Sequence, residues 1–228
     1  MPTASDVLDE LDRLIAQRSI LQHPFYRAWT AGALTREDLA AYARVYYPHV
    51  ASFPNYLRTA ISQAPSNPVV TETLSENLHD ELRVPEAHNE LWLRFANAVG
   101  ANSRDVRTST PAAGVVEVTG TFARLCAGTP AQALAALYAY ESQQPAVSIE
   151  KIKGLREKYG ICSEQALGYF TVHAEADVLH REGERQALGV CLEAGASREE
   201  VLDAAGQALD AYWQLLDAVC SERRVVVA

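Results

Sequence analysis

Apolar positions recur along most of the chain at three- and four-residue intervals, the period of an amphipathic helix. The first such stripe, Leu8, Leu11 and Ile15, follows Thr3-Ala4-Ser5-Asp6, which has capping-box spacing. Thr35-Arg36-Glu37-Asp38 repeats that signal ahead of Leu39, Tyr42, Val45 and Tyr46. Asn67-Pro68 starts a third stretch that runs towards Gly100, with Pro85 as the expected kink. Thr110-Pro111 opens a fourth, ending near Gly128, and Thr129-Pro130 opens a fifth, interrupted by Pro145. A sixth runs from Ser163 to about Glu193, and Ser197-Arg198-Glu199-Glu200 caps a seventh that ends near Cys220. No run alternates apolar and polar positions as a half-buried strand would, so the pattern predicts an all-α fold. Without repeats, low-complexity tracts or a composition shift, residues 1–222 form one expected domain, and 223–228 an expected loose tail.

Composition narrows the partners. A 228-residue chain with 48% apolar and 21% charged residues can bury a sizeable core. Its net charge of −9, with no basic cluster, argues against nucleic acid and anionic membrane. The amphipathic start lacks the basic and apolar segments of a secretory signal, and no run of about 18 apolar residues could span a bilayer. Cys126, Cys162, Cys191 and Cys220 are far apart and form no C-x-x-C pair, which reads as reduced thiols. The cytoplasm is the expected compartment, small molecules the expected partners, and an acidic helical bundle of this kind is compatible with a homodimer.

Chemistry enters on the sixth helix. His173, Asp177 and His180 lie at i, i+4 and i+7, which at about 100° per residue confines them to an arc of roughly 60°. Two imidazoles and a carboxylate on one stripe make half of a transition-metal site. Glu81 and His88 are also seven apart, two turns along one face if helix continues between them. Glu141 sits in an Ala-rich apolar helix with Leu134, Leu137 and Tyr138, where a buried acid needs a partner. Three carboxylates and three histidines from facing helices would hold two divalent cations. Their charge slightly exceeds that of the three acids, so the centre would welcome hydroxide, oxygen or an anion. His23, His49 and His79 read as ordinary surface or core residues, with His49 expected near the site. Glu86, Glu90, Glu175 and Glu182 read as solvated faces.

The order Glu, six residues, His, a distant Glu, then His-x-x-x-Asp-x-x-His resembles the heme-oxygenase-like dimetal oxidases, which share a seven-helix bundle with TenA and PqqC proteins. Within them the chain is similar to the CADD branch. That likeness is carried by His23-Pro24-Phe25-Tyr26, Leu34-Thr35, Ala41-Tyr42-Ala43, Tyr46-Tyr47-Pro48-His49 and Phe53-Pro54. It continues through Ala136-Leu137-Tyr138-Ala139-Tyr140-Glu141-Ser142-Gln143, Glu150-Lys151-Ile152-Lys153-Gly154-Leu155 and Tyr169-Phe170. The resemblance implies para-aminobenzoate, destined for folate, made from the protein's own side chains. Tyr26 would supply the ring, Lys151 the amino nitrogen, and Tyr140 would be a redox-active helper. Iron paired with iron or manganese would activate O2 with electrons from a reductant, and each polypeptide would act once.

Lysine occurs only at positions 151, 153 and 158, and the other seventeen of twenty basic residues are arginine. An amine that must become a nucleophile cannot be arginine, whose guanidinium stays protonated. Lys151 lies ten residues after Glu141 and beyond Pro145, so its reach depends on the bend there. A multiple-turnover diiron oxidase acting on an external small molecule would use the same six ligands and leave Tyr26 and Lys151 as bystanders. A TenA-like hydrolase would need a cysteine nucleophile, and the cysteines fall outside the ligand stripes. A metal-free adaptor is the non-enzymatic alternative.

Overall fold

The computed structural model describes residues 2–83 and 86–223, which fold into a bundle without β-strands among the described residues. The helices are α1 (Ala4–Gln17), α2 (Pro24–Ala31), α3 (Arg36–Gln63), α4 (Pro68–Glu81), α5 (His88–Ala98), α6 (Ser103–Thr108), α7 (Ala113–Cys126), α8 (Pro130–Glu141), α9 (Gln144–Glu157), α10 (Glu164–Glu193) and α11 (Arg198–Arg223), with one 3₁₀ turn at Ile20–Gln22. Eleven α-helices among the described residues replace the seven expected. All seven expected segments are helical, but the third divides into α4 and α5 and the fifth into α8 and α9. Helix α2 and the six-residue α6 are additional. Pro85 lies outside the described residues, as does the expected tail beyond Arg223, whose backbone closes α11.

Local chemistry sets these boundaries. Thr3, Thr35 and Thr129 each accept from the amide three residues on, and the residue at that position bonds back to the cap. His23 opens α2 by accepting from the Phe25 amide, and Pro24 occupies the first turn, where a missing N–H costs nothing. Gly32 closes α2 with φ +70°, and a side chain there would also crowd Lys158. Pro145 stands in the first turn of α9, so the chain turns at Ser142 and Gln143 and helix then resumes.

The core is organised around α8, which packs against α3, α7, α9, α10 and α11. Nearly every residue of α8 is buried, and alanines let its neighbours approach closely. The exception in chemistry is its last residue, Glu141, which the helix delivers into the interior.

Helices α2 and α9 meet where Gly154 faces Trp29; an added methyl at Gly154 would lie 2.3 Å from Trp29 Nε1 and 2.6 Å from Cδ1. Gly154→Ala gains about 1 kcal/mol of helix propensity, but the enclosed indole makes overpacking, at about 1–3 kcal/mol, the larger effect. Urea unfolding should therefore show a net loss of stability. A gain would mean that the α2–α9 contact yields.

Candidate metal centre

Glu81 is the last residue of α4 and His88 the first of α5, so the two are not stacked along one helix. The break between the helices folds them together, with His88 Nδ1 2.9 Å from Glu81 Oε1. His173 approaches the same oxygen, its Nε2 3.8 Å away, and the His88 and His173 rings lie 4.6 Å apart. His173 Nδ1–H donates to the Tyr169 carbonyl at 2.7 Å, which fixes the tautomer and leaves Nε2 facing the acid. Glu81, His88 and His173 thus form one buried triad whose candidate ligand atoms all lie within 4.8 Å of one another.

Glu141, Asp177 and His180 form a second triad by the same criterion. His180 Nδ1 is 3.3 Å from Asp177 Oδ1, and its Nε2–H donates to Asp80 Oδ2 at 3.1 Å. Asn77, one turn before Glu81 on α4, donates to both Glu141 oxygens at 3.0 and 2.9 Å. These are the outer-shell contacts that orient ligand side chains. Both triads open on one narrow cavity, lined by Glu81, Glu141, His173 and Asp177 and closed by Val50, Phe53, Tyr140 and Tyr169.

The electrostatics are those of a site built for cations. Burial alone would raise the Glu81 pKa, but His88 and then His173 overcome it and bring it to about 2. Burial opposes charge on His180, yet Asp177, Glu141 and Asp80 lift its pKa to about 9. His173 is likewise raised against its own desolvation by Asp177 and Glu81. Glu141 is pushed up by burial, then pulled back in part by His180. Protons hold the balance where metal ions would replace them. The donor set of carboxylate oxygens and imidazole nitrogens suits iron or manganese.

Tyr26 and Lys151 are buried in a neighbouring part of the same core. Lys151 Nζ sits 5.6 Å from the Tyr26 ring centre and at 5.1, 5.4, 5.9 and 5.0 Å from those of Tyr42, Tyr46, Trp92 and Phe170. Burial drives the Lys151 pKa well below 10.5, and no acid acts to restore it. Taking an unpaired ammonium out of water costs several kcal/mol, and burial is the one cause acting on this group, so the environment favours the unprotonated amine. Tyr140 meets the Tyr46 hydroxyl at 2.9 Å. Tyr46 stacks on Trp92 at 5.0 Å, Trp92 meets Tyr169 at 4.8 Å, and Tyr169 stacks on His173 at 4.0 Å. Aromatic contact is therefore continuous from the amine to the first triad.

The nine positions expected from the sequence are all buried in this core, six of them grouped in the two triads; their surroundings carried less signal. Asn77, Asp80 and Glu184 were not picked out, although Glu184 continues the Asp177–His180 stripe by one turn. The aromatic box around Lys151 left no local signal. His23 is a satisfied core residue, donating from Nε2 towards Asp217 at 3.1 Å, and His79, Glu175 and Glu182 are exposed. Glu90 pairs with Arg107 and Glu86 with Arg94. His49 is fully buried without a hydrogen-bond partner on either ring nitrogen, 4.9 Å from the Tyr140 ring, and burial lowers its pKa to about 3. Cys126, expected away from the site, feels Glu184 and Glu141; burial and then these acids hold its pKa near about 12, so it is a poor nucleophile.

Known proteins resemble this chain in sequence and in fold. A family described as iron-containing redox enzymes matches residues 40–213. A 4-aminobenzoate synthase from Chlamydia muridarum is 39% identical over 212 residues, 92% of this chain and 89% of that one. A CADD-like protein from Nostoc punctiforme superposes with a TM-score of 0.77 at 17% identity, covering 96% of this chain and 97% of that one. A Shewanella denitrificans domain with a heme oxygenase-like fold gives 0.79 at 17%, covering 99% and 95%. The fold is heme oxygenase-like.

A neutral buried lysine has a signature in stability. The unfolded chain binds a proton that the folded chain refuses, so stability is depressed below the ordinary lysine pKa and recovers as pH rises towards about 10.5. Lys151→Met should therefore unfold at higher urea than the parent protein at pH 7, and the gap should narrow towards pH 10. An unchanged gap across that range would show the amine to be charged.

Proposed function

Because the chain belongs to the iron-containing redox enzyme family, we propose that it is an oxygen-dependent dimetal oxidase that makes 4-aminobenzoate from its own Tyr26 and Lys151. The two triads are assigned one ion each, Glu81, His88 and His173 for the first and Glu141, Asp177 and His180 for the second. A redox-active pair, iron with iron or manganese, supplies O2 activation and takes up electrons when bound. The compartment assigned is the cytoplasm, where reduced thiols and a reductant are available. Among the described residues no helix is long and apolar enough to cross a membrane.

The observation that carries the reading is the placement of a neutral primary amine 5.6 Å from the ring of a fully buried tyrosine. A tyrosine ring carries its Cβ and its hydroxyl para to each other, the substitution pattern of 4-aminobenzoate. Conversion requires a ring C–N bond to the Lys151 nitrogen in place of the C–O bond, whose oxygen leaves as water, cleavage of the Lys151 Cε–Nζ bond, cleavage of Tyr26 Cα–Cβ and oxidation of Cβ to a carboxylate, with O2 as oxidant and the reductant supplying the electrons O2 still needs. Lys151 is suited to the nitrogen role because its lone pair is free and water is excluded from the box. Tyr42, Tyr46, Trp92 and Phe170 confine the amine over the ring. Tyr140 is the assigned electron relay, since it adjoins Glu141 and shares a hydrogen bond with Tyr46. Each chain is consumed as it acts. The narrowness of the cavity between the triads favours this over an external substrate.

Mass spectrometry of the protein before and after aerobic incubation with Fe(II), Mn(II) and a reductant tests the proposal. The expected result is at most one aminobenzoate per chain, with covalent loss at Tyr26 and a changed Lys151. Lys151→Arg should still bind two metal ions yet release no aminobenzoate. Normal yield from that variant, or more than one product per chain, would return the centre to a multiple-turnover oxidase.

A further inference from the structure

Glu184 is a buried acid that the six assigned ligands leave out. It lies on α10, four residues after His180 and seven after Asp177, which puts it on their face one turn further along. The side chain has no exposure, and among the described residues no N–H or hydroxyl donor reaches either oxygen; only a carboxyl proton shared with Glu141 can serve it. Its neighbour is the Glu141 carboxylate of α8, which Asn77 serves from α4. A carboxyl group buried without a donor costs about 1–3 kcal/mol or more relative to an apolar residue of similar size. Packing alone therefore gives no reason for an acid here.

Charge and donor chemistry give one. Glu81, Glu141 and Asp177 offer three negative charges to two divalent ions, and Glu184 makes the balance even. It would also give the second triad a third carboxylate, an oxygen-rich set suited to a hard ion. We propose that Glu184 is a seventh metal-binding residue, ligating the ion held by Glu141, Asp177 and His180. This rests on the dimetal reading above and adds to it a residue on which occupancy of the second triad depends.

Mn(II) titration, with free ion followed by electron paramagnetic resonance, tests the assignment without recourse to activity. The unaltered protein should take up two ions. Glu184→Gln keeps the shape and removes the charge, so it should hold the first ion normally and the second about 10–100-fold more weakly. Its metal-free melting temperature should equal or exceed that of the parent, which separates lost ligation from lost folding. Two ions bound by Glu184→Gln with parental affinity would overturn the role of Glu184 alone, whereas failure of the unaltered chain to bind Mn(II) would overturn the dimetal reading as well. If the variant does not fold, a Mn(II)-loaded crystal of the unaltered protein decides. A Glu184 oxygen about 2.2 Å from the second ion is the expected result; an ion bound there with Glu184 turned away refutes it.

Discussion

Glu81, Glu141, Asp177 and Glu184 carry four carboxylates into a core otherwise built of alanine, leucine and aromatic rings. Acids taken out of water must be neutralised, either by protons or by cations, and the fold supplies both routes. The pKa values of His173 and His180 are raised by these acids against desolvation, that of His180 to about 9. Glu184 has its pKa raised first by burial and then by Glu141. An arrangement that gathers protons around buried acids is one that two divalent ions would relieve, so ion binding would be linked to fold stability. The helix breaks serve the same end. Glu81 at the end of α4 and His88 at the start of α5 meet only because helix stops between them.

The opposite constraint acts on Lys151. No acid answers its charge, and burial drives its pKa well below the ordinary lysine value. One core thus holds a region that gathers positive charge and a region that expels it, joined by Tyr46, Trp92 and Tyr169. That division suits chemistry in which an amine must act as a nucleophile while ions nearby remain fully charged. A shared solvent-filled pocket would level the two environments; aromatic packing keeps them apart.

The stripe of α10 was legible because periodicity is a local property: His173, Asp177 and His180 share a face whatever surrounds them. Glu141 was legible as an acid in an apolar helix. The pairing of Glu81 with His88 was found by its spacing, but for a geometry the structure replaces, since the link between the helices and not a shared helical face brings them together. Helix α2 went unread because His23-Pro24 opens only eight residues, too few for a periodic signal. The box around Lys151 draws its rings from α2, α3, α5 and α10. Such convergence is a property of tertiary packing that no single segment encodes. Glu184 had the right spacing and was passed over, its burial being set by α8 crossing above it.

Burial also limits how the tyrosines can be oxidised. Tyr26, Tyr46, Tyr140 and Tyr169 all have pKa values raised well above 10, first by desolvation, so none ionises ahead of losing an electron. A phenol that loses an electron while still protonated becomes a strong acid, and in a low-dielectric core its proton must leave to a neighbour already in place. Tyr140 has the Tyr46 hydroxyl at 2.9 Å for that purpose. The Tyr26 hydroxyl lies with those of Tyr42 and Tyr212, which after desolvation act on its phenol, and the Lys151 amine is 5.6 Å from its ring centre. The same desolvation that holds these phenols protonated acts on the lysine in the opposite sense, towards the unprotonated amine.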